Sequence, residues 1–247
     1  MKITNMIAPE PLRTSAGVAV RNTILLGIPQ DEWDVIQPHL EFVSLELGIT
    51  VLRENERIEN VYFINEGLAS LIVETLDGRS VEVGVCGRED LVGLSVAAGL
   101  DRLYHRVVVQ VPGNGFKLPA NALLRALDHA PNIRRILMLR LAIRSMQMAQ
   151  NTACNRLHNI KQRLARWLLS AYDRINSTVI STTHDFLARM VGTDRPSVSV
   201  ALGALQRDGA ISGSRGAISI VDRQRLREQA CECYAILEPL NEELGLA

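Results

Sequence analysis

The stretch Thr182–Val221, TTHDFLARMVGTDRPSVSVALGALQRDGAISGSRGAISIV, decides the fold. Phe186, Leu187, Met190 and Val191 recur at helical spacing. Thr182 is placed to cap that helix, and Asp185 adds favourable charge to its first turn. Gly192 breaks the pattern, and a second helix begins near Asp194, whose carboxylate can cap it. Pro196 is tolerated there because first-turn amides need not donate. Val198, Leu202 and Leu205 form a stripe that must face a core. Arg195, Ser199, Gly203 and Gln206 lie on the opposite face. Gly209 ends the helix, and the apolar stretches flanking Ser212-Gly213-Ser214-Arg215-Gly216 read as a hairpin. Helix, tight turn, helix and hairpin make a winged helix-turn-helix, a motif whose second helix enters a DNA major groove.

Charge sharpens this reading. The chain has 247 residues and no formal net charge. Residues 156–227 nevertheless hold twelve Lys+Arg against five Asp+Glu, while residues 1–155 hold fifteen against seventeen. One basic segment in a neutral chain is the distribution of a DNA-binding module attached to another domain.

Upstream, Asn22 to Leu40 reads as a helical entry, with Pro29 opening a helix that presents Trp33, Ile36 and Leu40. From Glu41 short apolar stretches alternate with turn residues. Asp77-Gly78 between two such stretches is a strong hairpin signal. An antiparallel barrel or roll results, closed by His105–Val111 and Gly115–Leu118. Ala120–Leu127 is a short helix, and Pro131 opens a long one reaching about Thr152. Along it Ile136, Leu139, Ile143, Met146 and Gln150 follow a coiled-coil spacing and mark a seam for an identical helix of a second chain. Ile133, Leu137, Leu141 and Met148 form a second line, which can dock on the roll. Asn155–Ile175 is a further amphipathic helix beneath the helix-turn-helix, and Ala153-Cys154-Asn155 is the candidate hinge. The divisions are a flexible arm at 1–21, a sensor roll at 22–130, a dimerisation helix at 131–154 and the winged domain at 155–247.

Other classes find little support. No apolar run reaches the roughly 20 residues of a membrane span, and the N-terminus has no signal-peptide core. Cys86, Cys154, Cys231 and Cys233 lack the spacing of a zinc or iron–sulfur framework, so no metal site is assigned, and a reducing cytoplasm is expected. No phosphate-binding glycine loop or nucleophile elbow points to an enzyme. Glu54/Glu56 and Glu89/Asp90 read as solvated turn charges, and His39, His129, His158 and His184 as surface or helix-end residues.

The order of roll, long helix, hinge and winged helix-turn-helix resembles the CRP/FNR family of bacterial transcription regulators. So do Val61-Tyr62-Phe63-Ile64-Asn65-Glu66-Gly67, Gly87-Arg88-Glu89-Asp90 and the helix Arg163-Leu164-Ala165-Arg166-Trp167-Leu168-Leu169. The resemblance implies an α+β fold with a cyclic-nucleotide-binding-like roll, a homodimer, and an effector that shifts the long helices and reorients the DNA domains. It also implies RNA polymerase as a partner and a pseudo-palindromic duplex as target.

Cyclic-nucleotide members carry Gly-Glu after the roll's turn, then Arg-Ser-Ala or Arg-Thr-Ala a dozen or so residues later. The Glu holds the ribose and the Arg neutralises the phosphate. Here Leu94 follows Gly93, and the second slot falls on His105-Arg106-Val107 with Arg106 one position out of register. A one-residue slip on a strand turns a side chain to the other face. Met148 and Ala149 stand where the long helix usually offers hydroxyls. Leu94, His105, Arg106 and Met148 therefore mark a candidate effector pocket that is not expected to take a standard cyclic nucleotide. An unidentified small molecule, or a purely structural roll, is expected instead. The iron–sulfur branch needs an N-terminal cysteine cluster that is missing, and haem is not expected, although Cys86 and His105 could supply axial ligands.

Arg195 matches the family's leading recognition arginine, suited to guanine O6 and N7. The family often has Glu next and Arg four positions later, where this chain has Pro196 and Val200. Ser199 is placed to contact a base or phosphate, Thr193, Ser197 and Arg215 to contact phosphates, and Val200 to pack on a thymine methyl. The competing class is a ligand-sensing protein-interaction module whose helix-turn-helix no longer reads DNA.

Overall fold

Gly67 and Gly113 let two long strands cross closely enough to bend into a roll. Gly67 adopts φ +92°, and a Cβ there would lie 2.6 Å from the Val111 carbonyl. A Cβ on Gly113 would lie 2.2 Å from the Glu66 carbonyl, so no larger residue fits without moving backbone. The computed structural model describes residues 12–175 and 177–243.

Two short helices, α1 (Thr23–Leu26) and α2 (Gln30–Ile36), and a 3-10 turn (Gln37–His39) enter the roll. Its strands are β1 (Glu41–Leu45), β2 (Thr50–Leu52), β3 (Asn60–Glu74), β4 (Ser80–Cys86), β5 (Leu91–Val92) and β6 (Arg106–Pro119). Their order is β1-β6-β3-β4, with β2 on β6 and β5 on β3, all antiparallel. The Asp77-Gly78 turn joins β3 to β4 as expected, with Gly78 at φ +80°. Register shifts around Glu66 accompany the bend. Val61, Phe63, Leu91, Leu94, Phe116 and Leu118 fill the core of the roll.

The expected flexible arm is corrected for residues 12–21. Arg13 and Ala19 pair across a turn, Val20 is buried, and the Asn65 carboxamide oxygen accepts the Arg21 amide at 2.6 Å. The rest of that arm, residues 1–11, lies outside the described residues.

Helix α3 (Ala120–Leu127) leads to α4 (Pro131–Leu157), and α5 (Ile160–Ile175) follows. Pro131 occupies the first turn of α4, and the buried Glu32 carboxylate accepts the Asn132 and Ile133 amides at 2.9 and 2.8 Å. This satisfies orphan donors and places negative charge at the positive helix end. Ile133 and Leu137 join the roll core. The break falls at His158, which adopts ψ 151°, and not at Ala153–Asn155 where the hinge was expected.

The C-terminal part contains β7 (Val179–Ser181), α6 (His184–Val191), α7 (Arg195–Arg207), β8 (Ile211–Ser214), β9 (Ala217–Ile220), α8 (Arg223–Gln229) and α9 (Cys233–Glu243). The cap of α6 is Thr183, one residue later than expected: its hydroxyl accepts the Phe186 amide at 3.2 Å. Thr183→Ala should lower stability by about 1 kcal/mol in urea titrations; an unchanged midpoint would mean the cap is not formed. Asp194 caps α7 as expected, accepting the Ser197 amide at 2.7 Å. The wing is the antiparallel β8–β9 pair with β7 outside it. Leu164, Leu168, Leu187, Val198, Leu202, Leu205 and Ile218 form a second core. Leu68 and Ile72 of the roll pack into that same core, so the winged part docks on β3.

Candidate nucleic-acid interface

Burial on α7 separates its two faces cleanly. Val198, Leu202 and Leu205 are at most 4% exposed, while Val200 is 72% exposed. Arg195 and Ser199 line a cleft bounded by the start of α6, by Gln206 and by the wing with Arg215. His184 Nδ1 and the Ser199 hydroxyl are 2.8 Å apart, and that hydroxyl also donates to the Arg195 carbonyl at 3.1 Å. Arg195 stands 3.8 Å from Asp185, and both side chains are about two-thirds exposed. Such a pair is weak and leaves the guanidinium free to reach a ligand.

Arg195, Ser199 and Arg215 thus come together, with Val200 beside them on α7. Ser197 is half-buried in the capped first turn. Thr193 lies elsewhere, lining a cleft with Arg79, Ser80 and Val81 of the β3–β4 hairpin. His184 and Gln206 join the Arg195 cleft; His184 was read as a surface residue, and only its place at the start of α6 hinted at more.

The four candidate effector residues do not converge. Leu94 is fully buried in the roll core. Arg106 pairs with Glu74 at 2.7 Å and lines a cleft with Thr182, Phe186 and Arg189. Met148 lines a different cleft, between the roll and α4, which α5 closes with Trp167 and Arg174. Burial lowers the pKa of His105, and the positive charge of Arg144 adds to the shift. Cys86 is buried and accepts from Arg144 at 3.2 Å, and burial pushes its thiol pKa up.

That closed cleft holds a buried polar network. The Glu82 carboxylate accepts from Ser70 at 2.6 Å and from the Trp167 indole at 3.0 Å. Ser70 also contacts Gln110. Burial pushes the Glu82 carboxyl up to about 7, against the opposing influence of Ser70, Arg166 and Trp167. Nearby, Glu89 and Asp90 overturn the expectation of solvated turn charges. Glu89 is 1% exposed and pairs with Arg174 of α5 at 2.8 Å, while Asp90 is 5% exposed and pairs with Arg144 of α4. Two adjacent carboxylates therefore tie the roll to the long helix and to the winged part.

The expected dimer seam divides in the folded chain. Leu139 and Met146 are 47% and 55% exposed, and Met138 stands beside them at 38%. Ile136 packs against the roll core. Ile143 is buried against Leu240 of α9, and Gln150 donates to Cys233 Sγ at 3.0 Å. The chain's own C-terminal helix covers the middle of the stripe, which a heptad pattern cannot reveal.

The cysteines also surprise. Their spacing suggested no metal set, yet Cys154, His158, Cys231 and Cys233 bring their donor atoms within 4.8 Å of one another. The sequence signal was weak, two short pairs more than seventy residues apart. Cys154 and Cys231 share a hydrogen bond that holds Cys154 toward the thiolate and Cys231 toward the thiol.

A roll, a long helix and a winged helix-turn-helix with an exposed basic face together define a regulator of the CRP type. Residues 42–130 match the cyclic nucleotide-binding domain family, and residues 162–229 match the Crp-like helix-turn-helix domain. The CRP-like cAMP-activated global transcriptional regulator of Mycobacterium tuberculosis is 24% identical over 221 residues, covering 86% of this chain and 98% of that protein. The global nitrogen regulator of Synechococcus elongatus is 23% identical over 201 residues, covering 77% and 90%. The structure of FixK2 from Bradyrhizobium japonicum superposes with a TM-score of 0.67 at 19% identity, covering 78% of this chain and 98% of that one. The chain belongs to the CRP/FNR family of transcription regulators. Among the described residues, no helix is long and apolar enough to cross a membrane.

Proposed function

We propose that this regulator binds a pseudo-palindromic DNA duplex as a cytoplasmic homodimer and acts on transcription through RNA polymerase. The observation that carries this reading is the convergence of Arg195, Ser199 and Arg215 on one exposed cleft of the helix-turn-helix. Arg195 reads guanine, Val200 packs on a thymine methyl, and Ser197, Ser199, Thr193 and Arg215 serve the backbone. Thr193 has to leave the β3–β4 hairpin to do so, which fits a winged part that reorients before docking. Leu139 and Met146 form the exposed portion of the helix seam across which the second chain packs, with half-sites about one helical turn apart.

Selection of bound sequences from a random duplex library, with no effector added, should enrich a palindrome. Arg195→Ala should then weaken the selected site by about 1–3 kcal/mol, roughly 5- to 150-fold, with much less change on random duplex. Wild-type binding of both by the variant would overturn the recognition-helix assignment.

The roll's effector is a small molecule other than a standard cyclic nucleotide. Leu94 offers no carboxylate for a ribose, and Arg106 is engaged by Glu74 on the outer side. Calorimetric titration with cAMP or cGMP should show no saturable heat. Micromolar binding would reverse this conclusion.

A further inference from the structure

Cys154 and His158 are four residues apart at the end of α4 and share one helix face. They meet Cys231, in the link between α8 and α9, and Cys233, the first residue of α9, in a cluster apart from both main hydrophobic cores. Cys154 Sγ and Cys231 Sγ are 3.5 Å apart, and Cys233 Sγ lies 3.5 Å from His158 Nδ1. A tetrahedral ion with bonds of about 2.3 Å to sulfur and 2.0–2.1 Å to nitrogen sets edges of about 3.8 Å and 3.6 Å. Those two separations lie within about 0.3 Å of the edges, and all four donor atoms lie within 4.8 Å of one another. The donors have room for one ion and not for a polynuclear cluster.

The surroundings suit a cation as well. His158 Nε2 is 3.0 Å from the Glu232 carboxylate, which favours the tautomer with its proton on that nitrogen and the Nδ1 lone pair toward Cys233. A carboxylate behind a histidine is the usual support of a metal-bound imidazole. Gln150 donates to Cys233 from the other side. Three thiolates around a divalent ion leave one net negative charge. Arg163, whose guanidinium donates to the Asn155 carbonyl beside Cys154, and Arg166 each keep a buried Nε without a hydrogen-bond partner. Three sulfurs and one imidazole favour zinc-class ions over oxygen-seeking magnesium or calcium.

We propose that Cys154, His158, Cys231 and Cys233 bind one zinc-class divalent cation in a closed, four-coordinate structural site. Binding releases the thiol protons to solvent. The ion joins the end of α4 to the segment after the wing, beside the break at His158, and so clamps α9 onto α4. The assignment stands independently of DNA recognition.

The test uses the full chain, purified under reducing conditions without chelator and analysed for metal. About one zinc per chain is expected. After removal of that metal, Co²⁺ titrated into the protein should produce the intense visible bands of tetrahedral cobalt with sulfur-to-metal charge transfer, saturating at one equivalent. Cys233→Ser should weaken binding by about 100-fold or more, and Glu232→Gln by about 10- to 100-fold. Cys86→Ser, remote from the cluster, should leave it unchanged. Circular dichroism verifies that each variant is folded, and the wild-type cobalt spectrum needs no variant. The proposal is overturned if the reduced wild-type chain takes up neither Zn²⁺ nor Co²⁺. It is equally overturned if a Cys231→Ser/Cys233→Ser chain binds as wild type does. A Cys154–Cys231 disulfide in a chain that binds no metal after reduction would replace it with a redox pair.

Discussion

Arg174→Ala is expected to destabilise the protein by about 3–5 kcal/mol, because it leaves Glu89 buried and charged with no partner. The two side chains are 4% and 2% exposed, and Arg174 also donates to the Ser170 carbonyl at 2.9 Å. Glu89 Oε2 already lacks a hydrogen-bond partner, so it has no second contact to compensate. Replacing both partners with apolar residues, as in Glu89→Leu with Arg174→Met, should recover much of the loss, since both desolvation costs disappear together. Urea denaturation at one fixed protein concentration measures both effects, because the apparent stability of the proposed dimer would depend on concentration. A single variant within 1 kcal/mol of wild type would show that the pair is hydrated in solution and that the docked arrangement of the winged part is loose.

Glu82→Gln is expected to make the protein more stable than wild type above neutral pH. The Glu82 carboxyl is pushed up to about 7 by burial, from a usual value of 4.5. Below about pH 4.5 it is protonated in both folded and unfolded chains, and its contribution is fully present. As pH rises from there, the unfolded chain ionises first, so stability drains away until the folded group also ionises near 7. The loss then levels off at about 3 kcal/mol. Glutamine stays neutral and keeps an oxygen for Trp167 and an amide for Ser70. Stability curves of the two proteins should therefore meet near pH 4.5 and separate by about 3 kcal/mol at pH 8. Trp167 fluorescence should report the same midpoint, since its indole donates directly to Glu82. A variant less stable than wild type at pH 8 would mean that the fold favours the Glu82 ion, held by Arg166, and that the carboxyl is not raised.

Both networks lie where the roll, α4 and the winged part meet, the place through which an effector would have to act. Allosteric coupling requires that a ligand favour one arrangement over another. Undocking of the winged part would take Trp167 from Glu82 and Arg174 from Glu89, while Asp90 would keep Arg144 of α4. Glu82 lines the cleft that Trp167 and Arg174 of α5 close.

Much of this was legible in the chain itself. The Asp194 cap, the Val198/Leu202/Leu205 stripe, the Asp77-Gly78 hairpin and the proline opening α4 depend on neighbours within a few residues. Local sterics and hydrogen bonds decide them, and the order of the elements was enough to suggest the family. The errors have a common cause. Glu89 and Asp90 follow a glycine turn and look solvated, but Arg174 lies 85 residues further along. The coiled-coil stripe of α4 correctly marked an apolar face, but α9 covers Ile143 and Gln150. Arg106, read as one position out of register, pairs with Glu74 of β3.

The sequence by itself determined the elements from the roll to the wing, the Asp194 cap, the basic C-terminal segment and the apolar and polar sides of α7, because periodicity and short-range bonding encode these. Only the tertiary structure decided which charges are buried, what covers α4, and that Cys154 and His158 meet Cys231 and Cys233. Those facts depend on contacts between residues remote in the chain, whose energies come from desolvation and close packing. Neither leaves a periodic trace in the order of amino acids.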